Sequence, residues 1–194
     1  MMHAQRVPGL DCVADDNELV IEQRVQQLIQ WVGKQHVRTL YDSANDEFTQ
    51  AVFHGKILNK PSVALIGVTG DGDVFGGYYQ KAVQKVDEPS TDDSVFLFSL
   101  ESHGRCLTPQ QFPLKRELKE TAGVMLVSNN KFGFVRFYAQ GHGGLWLGSP
   151  ELKTCCYQLS ETFTGLTDAT LMGSTPSSVG SCFQLRRLIA LQLY

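Results

Sequence analysis

No stretch of this chain approaches the ~18 consecutive apolar residues of a membrane-spanning helix, so no membrane insertion is expected. Cysteine is sparse. The five residues, Cys12, Cys106, Cys155, Cys156 and Cys182, are odd in number and irregular in spacing, which argues against a secreted disulfide scaffold. The leading segment from Met1 to Val20 lacks the apolar heart of a signal peptide and is interrupted by Asp11, Asp15 and Asp16. A reducing, cytoplasmic setting is the expectation from these features. Excess positive charge is missing too: 17 Lys and Arg stand against 20 Asp and Glu, a net charge of −3. Nucleic-acid binding driven by counterion release is therefore not expected. The densest basic run, Lys115, Arg116 and Lys119, is interleaved with Glu117 and Glu120 and reads as a solvated face.

The common signatures of catalysis are also missing. Gly141-His142-Gly143-Gly144 and Val74-Phe75-Gly76-Gly77 are glycine-rich, but neither has the spacing of a P-loop or of a dinucleotide fingerprint. They read as turns or as places where backbones approach closely. There is no G-x-S-x-G elbow. Asp71-Gly72-Asp73 offers two carboxylates where calcium takes about six or more oxygen ligands. His103 and Cys106 with Cys155 and Cys156 would form the best zinc set. Adjacent cysteines on a strand, however, point to opposite faces. Cys106, Cys155 or Cys156 could meet His54, His103 or His142 as a nucleophile and base, yet nothing flanking them marks an activated thiol. No catalytic residue, metal ligand or cofactor is assigned. A thiol- or metal-dependent enzyme using Cys106, Cys155 or Cys156 stands as the alternative.

What is present is enough to build a core. Hydrophobic residues make up 42% of 194 residues, and a chain of this size can bury roughly 70% of its unfolded surface in one domain. Residues 1–16 read as a flexible leader. An amphipathic helix follows over 17–34: Asp16 or Asn17 can cap it, Glu18 and Glu22 suit its positive end, and Gly33 stops it. Its apolar positions, Ile21, Val25, Leu28, Ile29 and Val32, recur at helical spacing. That stripe either packs on its own domain or serves self-association. A second short helix is predicted from Thr49 to Ile57.

From Pro61 onward the pattern turns to strands. They are predicted at Val63–Val68, Val74–Tyr79, Val95–Leu100, Gly123–Ser128, Lys131–Tyr138, Gly144–Leu147 and Leu185–Leu193. Asp71-Gly72 has the chemistry of a tight hairpin turn. Val127-Ser128-Asn129-Asn130-Lys131 reads as another turn. Gln80 to Ser94 reads as a polar loop, and Leu159 to Ser181, rich in Ser, Thr and Gly, as a long surface connection. Hairpin spacing points to antiparallel pairing in an α+β fold: two packed antiparallel β-sheets, sandwich-like, with flanking helices.

Four segments over residues 40–194 together resemble the TLDc domain family. Asp46-Glu47-Phe48-Thr49-Gln50-Ala51-Val52-Phe53-His54-Gly55-Lys56 is similar to its D-x-F-x-x-x-x-F-H-x-K helix. Gly72-Asp73-Val74-Phe75-Gly76-Gly77-Tyr78 resembles its G-x-[VI]-F-G-G-[YF] strand. Asp93-Ser94-Val95-Phe96-Leu97-Phe98-Ser99-Leu100 resembles its D-x-x-x-F-[LI]-F-S-L strand. The closing strand Leu185 to Leu193 is the fourth. The family's G-G-x-H-D-L element is altered: Gly141-His142-Gly143-Gly144-Leu145 keeps the histidine and lacks the aspartate. The last strand also lacks the family's acidic residue and W-G-L ending, so the chain looks like a divergent member. The resemblance implies a non-catalytic protein-interaction module. It also implies a link to oxidation resistance or to regulation of the vacuolar proton-pumping ATPase, whose subunits become expected partners. His54, Phe75, Gly76, Gly77 and His142 are the motif residues expected to matter for binding, and Phe53, Phe75, Phe96 and Phe98 are expected in the core.

Overall fold

The computed structural model describes residues 16–128, 131–152, 154–172 and 181–194. Residues 1–15 of the expected leader, Cys12 among them, and Asn129-Asn130 of the expected turn lie outside the described residues, while Asp16, the leader's last expected residue, already belongs to the first helix. The chain opens with helix α1 (Asp16–Val32). Gly33 ends it with φ +68°: the Gly33 N–H reaches Gln30 and the Lys34 N–H reaches Ile29, so the last carbonyls are satisfied by a left-handed cap. Strand β1 (Val37–Asp42) and helix α2 (Gln50–Ile57) follow. Then come β2 (Val63–Thr69), β3 (Val74–Tyr79), β4 (Ser90–Thr91), β5 (Phe96–Glu101) and β6 (Gln110–Pro113). A 3-10 turn at Arg116–Leu118 leads to β7 (Ala122–Leu126), β8 (Val135–Ala139), β9 (Gly144–Leu147) and β10 (Thr154–Tyr157). Two short helices, α3 (Leu159–Thr162) and α4 (Asp168–Met172), precede β11 (Ser181–Phe183) and β12 (Leu185–Leu193).

The strands form two six-stranded antiparallel sheets. The first runs β1-β12-β2-β3-β5-β6 and the second β11-β10-β9-β8-β7-β4. The architecture is therefore α+β and sandwich-like, as the hairpin spacing predicts. Every residue of β2 is buried, which requires cover on both faces. On the inner face Val63, Leu65, Phe75, Tyr79 and Leu97 meet Val124, Val135, Phe137, Leu145 and Leu147 of the second sheet. On the outer face Ala64, Ile66, Val68, Tyr78, Phe96, Phe98 and Ile189 meet Ile21, Val25 and Leu28 of α1. The helical stripe thus packs on its own sheet, with Trp31 set edge-on to Phe96 at 6.3 Å. Phe53, Phe75, Phe96 and Phe98 are all buried.

The β2–β3 hairpin turns at Gly72, whose φ is +88°, as Asp-Gly chemistry predicts. Several other expectations need correction. The segment expected as a long surface connection holds α3 and α4 in its described part, where Leu159, Phe163, Leu166 and Leu171 are buried in the sandwich core; its residues 173–180 lie outside the described residues. The expected polar loop before Ser94 contains β4 and buries Val83 and Asp92. The Asp92 carboxylate is why: it accepts hydrogen bonds from the backbone N–H groups of Gln80, Lys81 and Ser94, closing the loop on itself. β1, β6, β10 and β11 carried no sequence signal. The strand expected from Lys131 begins at Val135, because Phe134 leaves the alternation to pack against Phe53 at 5.8 Å.

Candidate functional site

The motif residues occupy three different settings. His54 on α2 is buried, and its Nε2–H donates to the Phe134 carbonyl at 2.9 Å. Burial holds its pKa below the ordinary value of 6.5, so the neutral ring ties α2 to the start of β8. Phe75 points into the core, edge-on to Phe183 at 5.3 Å. Gly76 and Gly77 face opposite sides of β3. At Gly76 a Cβ would run into the Leu65 carbonyl of β2, and at Gly77 it would lie 2.7–2.8 Å from three ring carbons of Phe137. His142 sits beyond the other end of β8, in the turn to β9, with Nδ1 3.7 Å from Glu161. His54 and His142 therefore flank β8 at opposite ends and do not converge.

The thiols are spread in the same way. Cys156 faces the core, and burial pushes its thiol well above the usual range. Burial raises the Cys155 thiol to about 11. Among the described residues none of the three histidines bonds a cysteine sulfur, and no group of three or more His, Cys, Asp and Glu could hold a metal ion.

One polar cluster went unnoticed in the sequence. The buried Asp73 carboxylate accepts from His103 Nδ1 at 2.8 Å and from Arg105 Nη2 at 2.6 Å. Arg105 donates onward to the carbonyls of Thr170 and Leu171. The cluster pins the β2–β3 turn, the β5–β6 loop and α4 to one another. Asp73 lies 30 or more positions from His103 and Arg105, and Arg105 lies 65 or more from the carbonyls it reaches, so no local motif announces it.

The outer face of the second sheet is the feature with recognition chemistry. Strand register lays Met125, Arg136 and Trp146 in one row across β7, β8 and β9. Gly123, Tyr138, Gly144 and Tyr157 form the row beside it. Arg136 is held between two rings, with its guanidinium carbon 5.1 Å from the centroids of both Tyr138 and Trp146. Phe132 extends the aromatic surface, 5.8 Å from Trp146. Arg136 Nη2 donates to the His142 carbonyl at 3.3 Å, while its buried Nε has no hydrogen-bond partner. No carboxylate of the described residues pairs with it, and burial lowers its pKa. The first sheet's outer face is sealed by α1, whereas here Met125, Arg136 and Trp146 stay half-exposed and Tyr157 exposed. A partly dehydrated cation framed by aromatic rings suits a carboxylate accompanied by apolar groups. The alternation of Arg136 and Tyr138 with Val135 and Phe137 was visible in the sequence. The arrival of Trp146 beside Arg136 was not.

Fold and surface together define an α+β sandwich of two antiparallel sheets carrying an aromatic–arginine face. The sequence profile of the TLDc domain matches residues 15–175, and the chain belongs to that family. No curated protein matches the chain.

Proposed function

We propose that this chain is a TLDc-type protein-interaction module that binds an acidic segment of a protein partner on the outer face of its second sheet. The observation that carries the reading is Arg136, caged by Tyr138 and Trp146 and paired with no carboxylate of the described residues. Arginine and aromatic residues dominate the energetics of protein interfaces. A carboxylate docking there gains a charge-assisted hydrogen bond without having to displace an internal carboxylate of the described residues. The module acts in a cytoplasmic setting, in oxidative-stress resistance or in regulating the vacuolar proton-pumping ATPase, whose subunits are the partner class to test first. No helix among the described residues is long and apolar enough to cross a membrane, so a membrane-bound partner would be reached through its exposed subunits.

The test is binding of the purified protein to the peripheral subcomplex of that pump, beside the Arg136→Ala and Trp146→Ala variants. The expected result is saturable binding that weakens at least tenfold in both variants. Binding that both variants retain in full, or no binding at all, would remove the reading. Sedimentation of the same samples tests self-association through residues 17–34. The buried stripe of α1 argues for one mass per particle, unchanged in the variants.

A further inference from the structure

β10 and β11 pair antiparallel with Cys155 directly opposite Cys182. Directly opposed residues of an antiparallel pair have Cα atoms about 4.5–5.5 Å apart, inside the ~4.4–6.8 Å range of disulfides. The two side chains share a face, because opposed residues in a ladder point the same way. Cys156, the neighbour in sequence, turns to the core and lies opposite Ser181. The Thr154 hydroxyl donates to the Phe183 carbonyl at 2.5 Å and helps fix this register. Both cysteines are free thiols, Cys182 exposed and Cys155 buried. One is open to an oxidant and its cross-strand neighbour is sheltered beside it.

We infer that Cys155 and Cys182 form an oxidative modification site that closes to a cross-strand disulfide when the protein meets hydrogen peroxide. In the first step the Cys182 thiolate attacks a peroxide oxygen. The O–O bond breaks, the sulfur becomes a sulfenic acid, and the departing hydroxide takes a proton to leave as water. In the second step the deprotonated Cys155 sulfur attacks the sulfenic sulfur. The S–S bond forms, the S–O bond breaks and a second water leaves. Two thiols are oxidised and one peroxide is reduced to two waters. The raised thiol of Cys155 makes this second step slow at neutral pH and faster as pH rises, so the sulfenic acid persists long enough to be trapped. Closure clips β11 to β10. Cys155 lies opposite Trp146 when the β9–β10 register is extended by one residue, so the clip forms at the end of the Arg136 row. Closure does not depend on the partner reading, since it is read on the protein alone.

The experiment treats the full chain with hydrogen peroxide, blocks remaining thiols by alkylation and maps peptides without reduction. The expected product is one pair of peptides joined through Cys155 and Cys182, lighter by two hydrogens and separated again by dithiothreitol. It should form at least threefold faster at pH 8.5 than at pH 7. A dimedone adduct should appear at Cys182, and should accumulate in Cys155→Ser. Cys182→Ser, an exposed and nearly isosteric change, should abolish the product, while Cys156→Ala should leave it. Recovery of Cys155 fully alkylated after Cys182 has been oxidised would overturn the inference. So would a bond from either residue to Cys12, Cys106 or Cys156.

Discussion

Gly77→Ala tests the packing between the two sheets most directly. A Cβ at this position would stand 2.7–2.8 Å from three carbons of the Phe137 ring, where about 3.5–4.0 Å is comfortable. Ring or strand must therefore withdraw by about 1 Å. Phe137 is fully buried among Val124, Val135, Leu145 and Leu147, in an interior packed as tightly as an organic crystal. Overpacking of this kind costs ~1–3 kcal/mol. At a urea slope of about 2 kcal/mol per molar, a loss of about 2 kcal/mol lowers the unfolding midpoint by about 1 M. The cycle with Phe137→Leu isolates the cause. If the ring end is the obstacle, Gly77→Ala becomes nearly free in the Phe137→Leu background, a coupling of about 1–2 kcal/mol. At Gly76 the obstacle is the Leu65 carbonyl, a backbone atom, so Phe98→Leu should not rescue Gly76→Ala. An unchanged midpoint for Gly77→Ala, or the same cost in both backgrounds, would refute the account of the glycine pair.

Phe98→Ala empties a fully buried site between β5 and α1 and should cost about 3–5 kcal/mol in equilibrium unfolding. His54 should make the fold acid-sensitive. Its folded pKa lies below 6.5, so as pH falls through 6.5 the unfolded chain takes up a proton that the buried ring refuses, and stability drops until the folded pKa is passed. His54→Gln should flatten the stability profile between pH 7 and pH 5, measured as unfolding midpoints at fixed ionic strength. Asp73→Asn leaves His103 and Arg105 without their carboxylate and should cost about 1–3 kcal/mol. Hydrogen exchange should quicken in residues 102–107 and in α4 while β2 stays protected.

What the sequence revealed followed from local periodicity. β2 and β5 stood out because burial on both faces makes them nearly continuous apolar runs, and β12 stood out through its apolar residues 188–191. α1 stood out because Ile21, Val25 and Leu28 repeat at one turn's spacing. The hairpin at Gly72 was legible because positive φ selects glycine. The missed elements are those whose reasons are remote. β1 reads Val-Arg-Thr-Leu-Tyr-Asp, and it is a strand because Leu193 through Ile189 lie alongside it, some 150 positions away. Its Asp42 is buried against Arg187 at 2.6 Å, a pairing no short window contains. α3 and α4 have too few turns for a period, and a handful of apolar residues suffices to place them over the core. The aromatic–arginine face was half legible for the same reason. Alternation along β8 turns Arg136 outward, but only the β8–β9 register brings Trp146 beside it.

The two outer faces of the sandwich solve the same problem differently, and the difference bears on what each can do. The first sheet turns Ile66, Val68, Tyr78, Phe96, Phe98 and Ile189 outward. A surface so apolar would not persist in water uncovered, so α1 belongs to its stability. The second sheet turns Met125, Arg136, Tyr138, Trp146 and Tyr157 outward. Arg136, Tyr138, Trp146 and Tyr157 combine polar groups with apolar bodies that a partner can cover. Gly123 and Gly144 flank Tyr138 where a Cβ would strike the Ser90 and Phe137 carbonyls, so neither neighbouring strand sets a side chain directly opposite this largely buried ring. Folding therefore draws little from this face, and binding can draw much from it. Arg136→Ala and Trp146→Ala should accordingly shift the unfolding midpoint far less than Phe98→Ala while changing recognition far more. An outer face whose substitutions unfold the protein as readily as those beneath α1 would show that the second sheet's rings are structural cover, and the binding surface would have to be sought elsewhere.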